Sequence, residues 1–451
     1  MNPELKSESI DSGISFSTSP HAIGNRANRF LEVFAAILKH TQYGFVLDHF
    51  AALGTKCGRC SSDCHVYRAT GDLHDSPCRR SDLLLQVYRR HFTTSGFLQA
   101  RVLGIRPMLD SDVDEISRTF YRCNSCARCT LRCPMGVDHQ FINHLGRYIL
   151  SEMGLVPAAF KEPVRAPFQS KSAERPTWMS ELELDLERRF GRKFSVPFER
   201  NGAEYVFFPG HEVGYDGQGD HSEKQTFLAE VSVLENTGAS YSFSPRSLEP
   251  AGAGGFHHDL AIEELARELV SEARRLGARK ILIGECADLA LSAKRFVGAV
   301  GGSAIKVESI LEYSANAIVS GKLKPIPGVV SKRVIYHDPC SIARTGWIVE
   351  PPRNILRTFC SELVEPRVHG QNGFCCGGCG GLVLDSGNRV FRTQVAGRET
   401  ANELRSSGAK VVIASCVRCR KQLRELVEDH HLEMEVVGLH ELLFKAMREI
   451  G

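Results

Sequence analysis

Four cysteines and a proline in the stretch "CNSCARCTLRCP", residues 123–134, constrain this chain more than any other feature. Their spacing is C-x2-C-x2-C-x3-C-P, with Cys123, Cys126, Cys129 and Cys133 on one short run. Structural zinc sites normally pair two separated C-x2-C knuckles, because one tetrahedral ion draws its ligands from two turns. Four thiols on a continuous run suit a cubane instead, and in two-cluster ferredoxins the last thiol of such a run crosses to the other cluster. A crossover demands a second motif. "GTKCGRCSSDC" (54–64) supplies most of one: Cys57, Cys60 and Cys64 fill the last three places of the same register, while the first falls on Gly54, which cannot ligate. One cluster then takes Cys64, Cys123, Cys126 and Cys129. The other takes Cys57, Cys60 and Cys133 and is one ligand short. Three solutions stay open: Cys78 folds back, a histidine (His65 or His74) serves, or the site holds a three-iron cluster. Cys78 reads equally well as a small buried thiol.

The chain has 16 cysteines in 451 residues. The N-terminal "MNPELKSESIDSGISFSTSP" lacks a basic segment followed by an apolar one, so it reads as a disordered leader on a cytoplasmic protein. Cytosolic thiols stay reduced, which favours metal ligation over disulfides. No apolar run approaches the ~18 residues of a membrane span. The formal charge of +3 counts every thiol as neutral, and ligating thiolates would bring it nearer zero. Arginines crowd the cysteine-rich segment (Arg59, Arg68, Arg79, Arg80, Arg118, Arg122, Arg128, Arg132). They read as a solvated basic face offsetting cluster charge, or as a docking patch for an acidic protein. No nucleic-acid-binding module is recognisable.

Residues 27–56 carry a helical apolar stripe, and helical stretches such as "SDLLLQVYRRHF" alternate with the cysteine motifs up to residue 155. Residues 156–200 are rich in proline and charge and read as a linker with one amphipathic helix. Beyond 200 the texture changes. Short apolar runs ("EYVFFPG", "KILIGE", "RVIYHDP", "KVVIAS") alternate with helical stretches, which predicts an α/β domain with parallel sheets. A weak repeat lies inside it: "LARELVSEARRLGARKILIGECADL" (265–289) parallels "TQVAGRETANELRSSGAKVVIASCVRC" (393–419), and "FFPGH" (207–211) parallels "YHDPC" (336–340). Two related lobes are expected, 201–330 and 331–451, after a leader (1–26), a helical ferredoxin-type domain (27–155) and the linker. The fold class is thus α followed by α/β.

Only the second lobe keeps a full cysteine set: Cys340, the pair Cys375-Cys376 with glycines after it, and Cys416-x2-Cys419. Glycine lets the backbone wrap closely round a metal centre. Cys340 and Cys416 each follow a predicted strand, where open α/β sheets place ligands. Five thiols exceed the needs of one tetrahedral zinc and point to an unusual iron–sulfur cluster.

This pattern resembles the CCG (cysteine-rich) domain found in the B-type and D-type chains of heterodisulfide reductase and in related iron–sulfur proteins. "CHVYRATGD" (64–72) is most similar to the heterodisulfide reductase D-like branch and to the K-like iron–sulfur protein of the sulfite-reductase-associated membrane complex. The resemblance covers residues 50–450. It implies two cubane [4Fe-4S] clusters, then two CCG lobes, with Cys340, Cys375, Cys376, Cys416 and Cys419 binding a non-cubane [4Fe-4S] cluster at which disulfides are cleaved. Two departures stand out: Gly54, and a first lobe in which His211, His257 and His258 occupy family cysteine positions and only Cys286 remains. That lobe reads as structural, or as a histidine–cysteine metal site. Cys360 is expected in the core and Cys379 beside the cluster.

No dinucleotide fingerprint, P-loop or flavin signature is present; "GAGGFH" (252–257) lacks the third glycine. Electrons are therefore expected to pass to protein partners: a flavoprotein, a membrane quinone-reactive subunit or a small thiol protein. The leading expectation is an oxidoreductase subunit acting on a thiol/disulfide-type substrate, held at the inner membrane through a partner. The alternative is the iron–sulfur subunit of a flavin-dependent 2-hydroxyacid or glycerol-3-phosphate dehydrogenase that feeds quinone. A zinc-stapled scaffold is a third reading.

Overall fold

The computed structural model describes residues 16–17, 25–54, 56–104, 106–160, 174–211, 213–215, 221–248 and 259–447. The expected leader lies outside the described residues except for β1 (Phe16–Ser17), which pairs antiparallel with β2 (Val156–Pro157), and residues 25–26. The chain divides into two compact units. The first comprises residues 1–162, with 256–258 and 377–399; the second comprises 163–255, 259–376 and 400–451.

The first unit is helical. Helix Arg26–His40 buries Phe30, Val33, Phe34 and Ile37 on one stripe and places Lys39 and His40 in its last turn, where cations meet the negative helix end. The stripe expected over 27–56 is broken at Gln42, and a second helix runs Tyr43–Leu53. Helix Pro77–Phe92 starts with Ser76 as N-cap and Pro77 in the first turn, where a missing N–H costs nothing. Helix His139–Glu152 is capped by Asp138, whose carboxylate accepts from Phe141 N at 2.9 Å. Between these helices hang the two short cysteine loops.

The second unit holds two four-stranded parallel sheets. The first is built from β3 (Tyr205–Phe208), β4 (Tyr241–Ser242), β5 (Lys280–Ile283) and β6 (Lys306–Ser309), in the order β4-β3-β5-β6. The second contains β7 (Val330–His337), β8 (Cys360–Val364), β9 (Val411–Ala414) and β10 (Glu435–Gly438), in the order β8-β7-β9-β10. The permutation is the same in both, with the second strand outermost beside the first. This is the duplication legible in the sequence. Helix Met179–Phe190, with Met179, Leu182, Leu186 and Phe190 buried, supplies the amphipathic segment expected in the linker.

The lobes are joined by buried charge. Glu285, just after β5, accepts hydrogen bonds from Arg420 and from His440 through both its backbone N (3.0 Å) and its ring (2.8 Å), and the side chains of Glu285 and Arg420 are both 0% exposed. Alongside, Arg418 pairs with Asp288 at 2.6 Å.

Candidate metal centres

In each cysteine loop of the first unit the residues between thiols enter the left-handed backbone region. Gly58 has φ +75°, Ser125 φ +51° and Ala127 φ +59°. Alternating hand in this way turns successive N–H groups inward and makes an anion-binding concavity. One such amide, Ser125 N, already donates to the Cys123 sulfur at 3.3 Å.

The eight thiols of this unit's two loops and of Cys78 sort into two sets. Cys64, Cys123, Cys126 and Cys129 are electrostatic neighbours, with the buried Arg80 guanidinium among them. Burial pushes the Cys64 thiol up to about 12 against the pull of Arg80, and burial with the adjacent thiols pushes Cys129 well above its usual range. Arg80 is held by the carbonyls of Thr119 (3.0 Å) and Asp75 (3.3 Å). Cys57, Cys60, Cys78 and Cys133 instead line a single cavity together with Gly54, Lys56 and His139. Cys60 and Cys78 are hydrogen-bonded, so one proton serves both. That contact raises the Cys60 pKa and, with the Gly58 amide, lowers that of Cys78.

Cys78 thus lines the same cavity as Cys57, Cys60 and Cys133, and Gly54 is at its wall. The histidine alternatives lie elsewhere. His65 is buried with Nε2 on Asn124 Oδ1 at 3.0 Å, and His74 pairs at the surface with Asp72 and Glu115. Neither lines the cavity.

The arginines around these loops divide between interior and surface. Arg80 and Arg128 are buried, Arg122 chelates the buried Asp75 with two 2.7 Å bonds, and Arg128 and Arg132 reach Asp63. Arg59, Arg68, Arg79, Arg118 and Arg132 are exposed. Arg80, Arg122 and Arg128 thus help to hold this unit together.

In the second unit, β7, β8 and β9 are neighbours and all run the same way, so the loops that follow them emerge on one edge. Cys340 follows β7, Cys375 and Cys376 end the loop after β8, and Cys416 follows β9 as N-cap of helix Val417–Asp429, which carries Cys419 in its first turn. All five are buried. The Cys340 and Cys375 sulfurs lie within 4.8 Å of each other, those of Cys376 and Cys419 are 3.7 Å apart, and Cys419 hydrogen-bonds Cys416. The five gather at this one edge. Contact with Cys419, with the amides of Cys419 and Ala287, lowers the Cys416 pKa and favours its thiolate. Ala287 belongs to the first lobe, which thus reaches the centre despite lacking its own cysteine set.

Surrounding residues fix the loops. Arg353 forks onto Asp338 (2.9 and 2.8 Å) and onto Glu365 (2.8 and 2.9 Å), Asp338 accepts from Gly370 N at 2.6 Å, and Thr400 Oγ1 donates to Cys375 O at 2.8 Å. Such partners orient the ligands and tune them. Cys360 opens β8, at the end of the strand away from this edge, and burial pushes its thiol up to about 12. Cys379 falls in 377–399 and belongs to the first unit.

Of the four residues read as a vestigial site in the first lobe, His257 and His258 lie outside the described residues. His211 is buried beside Glu230, at 3.5 Å, and Cys286 caps helix Ala287–Gly301 in the position that Cys416 occupies in the second lobe. Burial pushes Cys286 up to about 12.

A helical unit with two cysteine loops, followed by a duplicated α/β unit with five gathered thiols, defines the class: an iron–sulfur oxidoreductase component. Residues 55–137 match the family model of a 4Fe-4S dicluster domain, and residues 334–424 match that of the CCG cysteine-rich domain. The Hdr-like menaquinol oxidoreductase iron-sulfur subunit 2 of Archaeoglobus fulgidus is 26% identical over 464 residues, covering 92% of this chain and 83% of that protein. The D-type chain of the dihydromethanophenazine:CoB–CoM heterodisulfide reductase of Methanosarcina barkeri is 23% identical over 407 residues, covering 87% of this chain and 93% of its own. The EtfAB:quinone oxidoreductase of Syntrophomonas wolfei is 25% identical over 433 residues, which are 87% of this chain and 57% of that protein. No solved structure matches. Along most of its length the chain is thus similar to heterodisulfide reductase-like iron–sulfur subunits, and it carries a 4Fe-4S dicluster domain and a CCG domain. Among the described residues no helix is long and apolar enough to cross a membrane.

Proposed function

We propose that this chain relays electrons between cubane clusters in its first unit and a non-cubane [4Fe-4S] centre on Cys340, Cys375, Cys376, Cys416 and Cys419, where a thiol/disulfide-type substrate reacts. The observation that carries this reading is the gathering of those five buried sulfurs at one sheet edge. When bound, the centre supplies iron for a substrate sulfur and a store of electrons. Reduction of a disulfide takes two electrons and two protons and gives two thiols. The chain's own residues shape the place: the Asp338–Arg353–Glu365 network holds the loops, and burial keeps water out.

One cubane takes Cys64, Cys123, Cys126 and Cys129, and the other Cys57, Cys60, Cys78 and Cys133. Cys78→Ser is then expected to cost about one iron per chain and to turn one cubane signal into a three-iron signal. Iron analysis with low-temperature EPR reads this directly. An unchanged spectrum removes Cys78 from the ligand set.

A second reading is favoured by the relatives whose names contain menaquinol or quinone. Here the same thiol sets only pass electrons between a flavoprotein and a membrane quinone-reactive partner on the cytoplasmic side. Anaerobic protein supplied with reduced methyl viologen and a mixed disulfide separates the two. The first reading expects two viologens oxidised per disulfide consumed. No disulfide consumption, with electron flow restored only by flavoprotein and quinone, leaves the second.

A further inference from the structure

His337 is the last residue of β7, in register with Ala414 of β9, at the edge where the five thiols gather. It is 5% exposed, and its Nε2 has no hydrogen-bond partner among the described residues. An imidazole nitrogen in that state is costly unless something meets it. A nitrogen of that ring and the sulfurs of Cys376 and Cys419 all lie within 4.8 Å of one another. The two sulfurs are 3.7 Å apart. Thiolates bound at about 2.3 Å to one tetrahedral ion stand about 3.8 Å apart, so this pair has the spacing of two ligands on a single metal. The ring nitrogen stands where a third ligand of that metal belongs.

The geometry points to His337 as a sixth protein ligand of the C-terminal centre, binding through its ring nitrogen the same iron that Cys376 and Cys419 bind. This rests on the proposed iron–sulfur reading of the five thiols and extends it. Three ligands from the chain leave one position on a tetrahedral iron, which a bridging sulfide would have to fill for that iron to belong to the cluster. A cavity lined by His337, Asp338, Val368, Phe374 and Thr400 adjoins the imidazole.

The test is pulsed EPR on the anaerobically purified full chain carrying 15N-labelled histidine. The expected result is a 15N coupling of directly bound strength on the paramagnetic species that Cys376→Ser removes. In His337→Gln that coupling disappears and the species shifts in g values, while the two clusters of the first unit keep their signals and report a folded protein. His337→Cys restores a third ligand without nitrogen coupling. A C-terminal species without 15N coupling, or with coupling that survives in His337→Gln, overturns the assignment of His337 alone. Absence of any third species in the wild-type protein overturns that assignment and the five-thiol reading together.

Discussion

Anaerobically isolated Cys376→Ser protein is expected to lose the C-terminal centre and to keep both clusters of the first unit. Cys376 is buried, 3.7 Å from the Cys419 sulfur and adjacent in sequence to Cys375. Serine offers a harder, less acidic oxygen in place of a soft thiolate. Changes to residues that merely support metal ligands already cost 10–100-fold, so loss of a central ligand should lower disulfide turnover by at least ~100-fold. Iron should fall by about four atoms of about twelve. The third EPR species should vanish while the first two stay unchanged. If iron content and all three signals persist, Cys376 does not ligate and the five-thiol centre has to be redrawn.

Removing the Arg420 guanidinium should be the most damaging single change to the fold of the second unit. Arg420→Met strands the Glu285 carboxylate at a position with no exposure, and breaking a buried pair from one side costs about 3–5 kcal/mol. A lowered denaturation midpoint measures it. The double variant Glu285→Gln with Arg420→Met should recover most of the loss, because neither charge is then left alone. A double-variant loss equal to the sum of the two single losses would mean that the charges are not coupled.

The same pair sets an acid limit. Burial pushes the Glu285 carboxyl up, but Arg420 and the two His440 hydrogen bonds outweigh it and hold the group down at about 2. The folded pKa lies below the unfolded one, so the stabilisation is complete above about pH 4.5 and drains away as pH falls toward 2. Glu285→Gln should flatten that part of the stability profile.

What could be read in advance divides along physical lines. The runs "EYVFFPG", "KILIGE", "RVIYHDP" and "KVVIAS" became β3, β5, β7 and β9, the inner strands of the two sheets. Inner strands covered on both faces show as continuous apolar runs. The outer strands β6, β8 and β10 carry Lys306, Glu308, Glu362 and Glu435 and are partly exposed, so they look like loops. β4 is only Tyr241–Ser242 and too short to register.

Cysteine spacing was informative because metal ligands must arrive in register whatever surrounds them, and the stretches it marked lie in the 4Fe-4S dicluster and CCG matches. The residues that support them were not legible. Arg80 looked like one basic residue among eight, and only its burial between Thr119, Asp75 and the thiols separates it from Arg59. His337 stood in "YHDPC" beside a recognised cysteine, yet nothing in linear spacing distinguishes an imidazole facing two sulfurs from one capping a loop. Glu285, Arg420 and His440 are far apart in the chain, and no local pattern links them.

The chain leaves the second unit immediately after Cys376 and rejoins it at Thr400. In between it is stitched to the helical unit: Asn124 Nδ2 donates to Gly377 O at 2.6 Å, Arg147 donates to Gly380 O at 2.9 Å, and Arg68 pairs with Glu399 at 3.0 Å. A fragment ending at residue 162 would surrender the Gly377 acceptor of Asn124 and the Gly380 acceptor of Arg147. A fragment beginning at 163 would carry a slack insertion between two of its own thiols. Neither half is therefore a free-standing module that gene fission could release. On the proposed ligand sets, both groups of cysteines would then be loaded on one polypeptide.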